Sequence, residues 1–276
     1  RAPHGKAPGT LGNAAACPVA GQGSMSDKPR VSVITAAFNA EGLIAETIAS
    51  VQAQSLQDWE MLIADDASSD RTAEIVCTLA ARDSRVRLIR LEQKGGVARA
   101  RNAALAAARG RFVAFLDSDD LWLPSKLERQ VAFMDEHDAA VAYTAFRRVD
   151  EDGGRLGRLV SVPARLTYRQ LLKNTAIATS TGMIDTAKTG PVRMTEARRD
   201  DFILWLSILK RGFNAYGLQE DLARYRVVTG SLSSKPKRSA AWTWSVYRDI
   251  EKLALLPALW CMANYGARAL LKRLVF

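Results

Sequence analysis

Apolar and polar positions along this chain switch between two periods. Val31–Ala37 is an apolar run broken only by small hydroxyl side chains, the pattern of a strand buried on both faces. Leu43, Ile44, Thr47, Ile48 and Val51 then recur at helical spacing and mark one helix face. The alternation continues with a strand over Trp59–Ala64 that ends at Asp65-Asp66, and a helix from an Asp70 cap to about Ala81. A third strand covers Val86–Leu91. Gly95-Gly96 opens an Ala-rich helix through Ala108, Gly110 ends it, and Phe112–Leu116 is a fourth strand. Strands alternating with helices predict an α/β fold with a mostly parallel central sheet and helices on both faces. Ligands of such sheets sit beyond the carboxyl ends of the strands. Asn39, Asp66 and Asp117 each fall just past a strand end, so the pattern places them on one rim.

After Pro124, Leu127, Val131 and Met134 mark a further helix. Val141–Val149 and Leu156–Val160 flank Asp150-Glu151-Asp152-Gly153-Gly154, a hairpin signal. Beyond it the elements shorten. Asp201–Lys210 reads as a helix, Leu222–Val228 as a strand and Thr229–Arg238 as a polar, basic loop. In the tail, Trp242, Trp244, Tyr247, Trp260 and Tyr265 accompany Arg268, Lys272 and Arg273. Leu253–Ala267 is free of charge but broken by Pro257, too short for a membrane span. It suits a helix at a membrane interface with a basic edge, or one packed on protein. The organisation is a leader over 1–29, a catalytic-type domain over 30–235 and a helical amphipathic tail over 236–276. The leader is Gly/Pro/Ala-rich and carries no apolar h-region; Met25 reads as a natural start.

Composition narrows the class. The 276 residues carry 39 Lys and Arg against 29 Asp and Glu, a net charge of +10. An anionic small ligand or membrane surface fits that balance. The basic residues are scattered and no nucleic-acid module is present, so nucleic acid is not an expected partner. Three distant cysteines make no metal spacing, and two histidines argue against a histidine-based zinc site. Sparse cysteines also fit a reducing cytosol.

The chemistry concentrates at Asp117-Ser118-Asp119-Asp120, three carboxylates on the end of an apolar strand with no cation beside them in sequence. Such groups repel one another unless a positive partner arrives. A hard divalent cation carrying a phosphorylated ligand is that partner, because it takes carboxylate oxygens and keeps positions open for phosphate. The same letters would also arise from turn-forming aspartates that cap a helix, and Asp120 suits a cap near Pro124.

Five segments in order resemble the family 2 glycosyltransferases. They are Val31–Asn39, Asp65–Thr72, Gly96–Asn102, Phe115–Asp120 and Arg199–Leu206, together spanning roughly residues 30–235. The resemblance implies a GT-A fold and an inverting, metal-dependent transfer of a sugar from a nucleotide diphosphate donor, UDP favoured. It implies Mn²⁺ or Mg²⁺ on Asp119, with Asp117 on the ribose or on a metal-bound water. Ala37, Phe38 and Asn39 fall at the nucleotide, where Phe38 stacks on the base or belongs to the core; the family usually has Tyr there. Asp66 would accept from the base imide, or serve an Asx turn. Arg99 and Arg101 would meet base or phosphate at a helix start, or form a solvated face, and Asn102 would bond the first motif's loop. Asp201 would be the general base, made more basic by its neighbour Asp200, or else a first-turn helix acid. Trp205 shares a face with Asp201 and Ile208 and reads as packing. The expected acceptor is a saccharide or lipid-linked saccharide in surface or exported polysaccharide assembly, chosen by Val160–Arg198 and the basic loop. The expected location is the cytoplasm, with peripheral contact at the inner membrane face through the tail.

Two rivals differ in class. Nucleotidyl transfer needs a Gly/Arg/Lys-rich phosphate loop near the first strand, which Phe38-Asn39-Ala40-Glu41-Gly42 does not supply. A nucleotide-binding subunit without activity would keep the donor motifs, and Asp117, Asp119 and Asp201 argue against it. No G-x-G-x-x-G follows a strand, which excludes a nicotinamide dehydrogenase.

Overall fold

The computed structural model describes residues 28–228 and 236–273. The expected leader, up to residue 27, and most of the expected basic loop (229–235) lie outside the described residues.

In chain order, β1 (Val31–Ala37), α1 (Ile44–Gln52), β2 (Trp59–Asp65), α2 (Thr72–Ala80), β3 (Val86–Arg90), α3 (Val97–Ala107) and β4 (Phe112–Phe115) form the first half. Its strands run β3-β2-β1-β4 and are all parallel. The register pairs Ala37 with Asp65 and Ile34 with Phe115, so the carboxyl ends of β1, β2 and β4 align. Side-chain alternation serves two cores. Val31 and Val33 pack with Ile44, Ile48 and Val51 of α1 on one face, and Ile34 packs with Ala100 and Ala104 of α3 on the other. Every residue of β2 is buried, as continuous apolar strands require when helices cover both faces.

The second half is β5 (Leu121–Trp122), α4 (Lys126–Glu136), β6 (Val141–Asp150), β7 (Leu156–Val160), β8 (Arg165–Leu166), α5 (Tyr168–Leu171), a 3₁₀ turn at Thr179–Thr181, β9 (Met183–Asp185), α6 (Thr186–Thr189), α7 (Asp200–Lys210) and β10 (Ala215–Val227). The sheet continues β4-β9-β6-β10-β5, with β7 on β6 and β8 on β10. β9 is antiparallel to both of its neighbours, while β6 and β10 are parallel. The reversal at β9 matters for the site. An antiparallel strand starts where its neighbour ends, so the turn that feeds β9 lies at the carboxyl end of β4, where the Phe115 amide donates to Gly182 O at 3.3 Å.

The hairpin around residues 150–154 forms as β6 and β7. β10 begins at Ala215, seven residues ahead of the expected strand, because a register shift between Leu218 and Ala223 carries its pairing with β6 past polar Gln219 and Glu220. Asp70 lies one residue before the cap position of α2, yet its Oδ1 accepts the Thr72 amide at 3.0 Å.

The tail forms α8 (Pro236–Ser245), a π-helical turn (Val246–Ile250) and α9 (Leu255–Arg273). Helix therefore replaces the last three residues of the expected basic loop. The tail packs on the domain. Val246, Tyr247, Ala258 and Cys261 are buried, and Tyr168 Oη and Lys210 Nζ both donate to Glu251, at 2.6 and 2.8 Å. No helix among the described residues is long and apolar enough to cross a membrane.

Candidate active site

The loops after β1 and β2 are tied to each other. The Asn39 amide donates to Ser68 Oγ and the Ser69 amide donates to Asn39 Oδ1, each at 2.9 Å. The Ala40 amide reaches Thr72 Oγ1, the Glu41 amide reaches Asp70, and the Arg71 amide returns to Glu41. Asn39 and Ala67 both take left-handed backbone angles, which the shared bonds hold in place. The Asp66 amide donates to Ala37 O at 2.8 Å, while the buried Asp66 carboxylate accepts the amides of Gly95 and Gly96 at 2.7 and 2.8 Å. Gly96 sits at φ 90°, a conformation other side chains rarely adopt, and this turns two amides onto one carboxylate ahead of α3. Phe38 is 40% exposed, so it is not core, and Lys94 Nζ lies 3.4 Å from its ring centroid.

The acidic segment divides into three environments. Asp117 is partly exposed; its amide donates to Ser180 Oγ at 3.1 Å and its carboxylate pairs with Arg101. Asp120 is buried and accepts from Ser180 Oγ and, at 2.7 Å, from the Arg226 amide. It therefore ties β10 to the acidic loop and does not cap α4. Burial, then the charges of Asp117 and Asp119, push it well above the usual carboxylate range. Asp119 lies between them, and among the described residues no other side chain pairs with its carboxylate. Burial first, then Asp117, push it up to about 6.

The cluster does have cations beside it, contributed from elsewhere in the chain. Arg226 is buried behind the loop, donating Nε to Asp119 O at 2.8 Å and pairing with Glu46 at 2.7 Å. Arg101 is only 5% exposed, so it is not part of a solvated face. Its guanidinium joins Asp117 to Asp200 of α7, the latter at 2.9 Å. Burial opposes the charge on Arg101, but Asp117 and Asp200 outweigh it and hold the guanidinium protonated. Asp200 is thus a paired group and not a bare like charge beside Asp201. Arg99 is exposed at the start of α3. Asn102 does not reach the first loop; its side chain makes a two-way bond with the Met194 backbone at 2.8 and 2.7 Å.

Asp201 reaches the same region through the 3₁₀ turn. Thr179 Oγ1 donates to Asp201 at 3.2 Å, one residue before the serine that holds Asp117 and Asp120. The turn is itself braced. Trp122 Nε1 donates to Ser180 O at 2.7 Å, and buried Lys126 lies 3.5 Å from the Trp122 ring centroid. Trp205 is 1% exposed and packs edge-on against Phe115, with centroids 5.7 Å apart. A Cβ on Gly182 would come within 2.6 Å of the Trp205 ring, so this approach of turn to helix needs glycine. The sequence pattern alone does not single out Thr179, Ser180 or Arg226. Three hydroxyl residues followed by Gly182, directly ahead of an apolar strand, were the available turn signal. Arg226 within a strand gave none.

The residues fit a hard cation. Asp119 offers a carboxylate that no other described side chain engages, next to Asp117, although no cluster of three or more His, Cys, Asp or Glu able to hold a metal occurs among the described residues. Mg²⁺-type sites use one or two carboxylates and take their remaining oxygens from phosphate and water, which this donor set allows. By contrast, a cavity of about 460 Å³ at the other end of the strands is lined by Arg30, Arg109 and Arg111. These are already paired with Asp135, Glu60 and Asp185, so its charge is compensated.

Comparison with known proteins agrees with this geometry. The model of Glycosyl transferase family 2 matches residues 32–187. TuaG of Bacillus subtilis, named for teichuronic acid biosynthesis, is 46% identical over 248 residues, covering 90% of this chain and 98% of its own. WfgD of Escherichia coli, a UDP-Glc:alpha-D-GlcNAc-diphosphoundecaprenol beta-1,3-glucosyltransferase, is 36% identical over 236 residues, covering 85% and 91%. Among solved structures, S. aureus TarS 1-349 in complex with UDP-GlcNAc aligns with a TM-score of 0.67 at 24% identity, covering 86% of this chain and 71% of that one. The mannosyltransferase PcManGT of Pyrobaculum calidifontis, in complex with GDP-Man and Mn²⁺, aligns with a TM-score of 0.65 at 18% identity, covering 88% and 74%. These likenesses establish the GT-A fold.

Proposed function

We propose that this chain, which belongs to glycosyl transferase family 2 and is a glycosyltransferase, moves a sugar from a UDP-linked donor to a hydroxyl of a lipid-linked saccharide, with inversion, in the assembly of a surface or exported polysaccharide. The donor and acceptor classes follow the activity for which WfgD is named and the UDP-GlcNAc complex of TarS. Asp66 receives the base imide; two amides already occupy it, but a carboxylate has about four acceptor positions. Phe38 offers its exposed ring to the base, Ala37 and Asn39 shape the adjoining loop, and Arg99 meets the phosphates from the start of α3. Asp119 and Asp117 hold Mn²⁺ or Mg²⁺, with Asp117 also available to the ribose. The bound cation supplies Lewis-acid stabilisation of the departing diphosphate. Asp201 takes the proton of the acceptor hydroxyl as that oxygen attacks the anomeric carbon and the bond to the diphosphate breaks. Arg101 acts as a strut, keeping the nucleotide side and the base side in one geometry. Contact with the cytoplasmic face of the membrane through the tail brings the enzyme to its acceptor.

The observation that supports this reading most is the Arg101 bridge, together with the Thr179 bond to Asp201. Through these bonds Asp201 and Asp117 are linked within one region of the molecule. The test is release of UDP from UDP-sugars, screened beside GDP- and dTDP-sugars, with a GlcNAc-diphosphoprenol acceptor and Mn²⁺. Asp201→Asn and Asp119→Ala should each stop transfer in a folded protein. Near-normal turnover by both would sink the assignment.

A further inference from the structure

The first turns of α9 leave an apolar face uncovered. Leu255, Leu256, Leu259 and Trp260 are 55%, 79%, 49% and 61% exposed, while Ala258 and Cys261 on the opposite side are buried. A helix that packs one stripe on its domain normally gives polar residues to the other. Here the outward stripe is as apolar as the inward one.

The stretch of chain that carries this face is basic, with Asp249 and Glu251 just ahead of it and Glu251 held by Tyr168 and Lys210. From Lys252 to Phe276 the chain contains no Asp or Glu, but has Lys252, Arg268, Lys272 and Arg273. Lys173, from the neighbouring loop, places its Nζ 5.9 Å from the Trp260 ring. An apolar stripe on a stretch of net positive charge matches an anionic bilayer, where the stripe enters the acyl boundary and cations meet headgroups. A second copy of this chain matches poorly, because a two-fold interface would set two patches of the same positive sign against each other.

The same helix is tied to the residue that leads into the Asp201 helix. Arg199, the residue before α7, donates to Ser239 Oγ at 3.1 Å and Thr243 Oγ1 at 3.4 Å on α8, and Ser239 Oγ lies 3.0 Å from Tyr265 Oη on α9. The contact runs from the cap of the Asp201 helix to α9 in three residues.

We propose that the Leu255–Leu256–Leu259–Trp260 face of α9 docks on an anionic lipid surface and presents the Asp201 side of the cleft to a membrane-embedded acceptor. The second clause rests on the lipid-linked acceptor proposed above; the first does not. The test is flotation of the full chain with vesicles of phosphatidylcholine alone or with about one third phosphatidylglycerol. The chain should bind the anionic vesicles, bind neutral ones less, and lose binding as salt rises. Leu256→Glu with Trp260→Glu should lower the partition by about tenfold or more. Leu256→Ser with Trp260→Ser should lower it less. Both variants should keep the wild-type Tm and the wild-type rate of UDP release with a short, water-soluble acceptor. Equal flotation of variant and wild type would overturn the proposal. So would failure of the wild type to bind anionic vesicles, or a dimer in sedimentation velocity that both variants dissolve. Absence of UDP release from every donor would sink the catalytic reading and leave the flotation result to stand alone.

Discussion

The two halves of the molecule position their polar groups by different means. In the first half, Ala37, Asp66 and Asp117 arrive at the rim because parallel strands in fixed register end there. Backbone pairing does the work, and the adjoining loops add short-range bonds. In the second half, Asp201 sits on a helix that no strand register fixes. Its place depends on side chains of distant segments: Arg101 to Asp200, Thr179 to Asp201, and Ser180 to Asp117 and Asp120. Substitution of single side chains should therefore disturb the second half far more than the first.

The largest expected effect is on chemistry. Asp201→Asn keeps the Thr179 contact but removes the proposed base, and should lower kcat by about 10²–10⁴-fold while donor binding, measured by calorimetry with UDP, is unchanged. Next comes the strut. Arg101→Met leaves Asp117 and buried Asp200 without their cation and should cost about 3–5 kcal/mol of stability in urea unfolding. Adding Asp200→Asn should recover part of that loss; no recovery would mean that the bridge is not the source of the cost. Thr179→Val should lower kcat by about tenfold by releasing Asp201 from its orientation, with donor KM little changed and Thr179→Ser restoring the rate. A fall in Tm without a change in kcat would make Thr179 a packing residue only.

The smallest effect is graded with pH. Asp119 is pushed up to about 6, so below that pH its carboxyl is neutral and Mn²⁺ affinity should fall; above it affinity should level off. The sign for stability is opposite. The folded chain holds this proton more tightly than the unfolded one, so without metal the group weakens the fold as pH rises from about 4 through about 6. Added Mn²⁺ should remove that slope in Tm, and a slope of the reverse sign would contradict the environment described for Asp119.

Legibility in the sequence follows the same division. The first four strands and their helices were readable because burial on both faces of a parallel sheet writes continuous apolar runs. The rim positions of Asn39, Asp66 and Asp117 followed from those runs. The short β5, β8 and β9 were not readable, since two or three residues carry no period, and β9 is the strand that delivers Thr179 and Ser180. The acidic segment looked unaccompanied because its cations lie far off in sequence. Arg101 is 16 residues from Asp117, and Arg226 is 107 from Asp119. Periodicity cannot report such pairings. Of the two alternatives for the tail, the structure shows packing on the domain; the uncovered face carries the membrane proposal made above.

The paired loops after β1 and β2 carry a consequence for how a nucleotide would be met. Asn39, Glu41, Ser68, Asp70 and Thr72 already hold one another, so the surface under the base is set before any guest arrives. Capture there asks little rearrangement of the chain. The association rate should track diffusion and viscosity, and a protease able to cut at Glu41 should find that bond equally resistant with and without UDP.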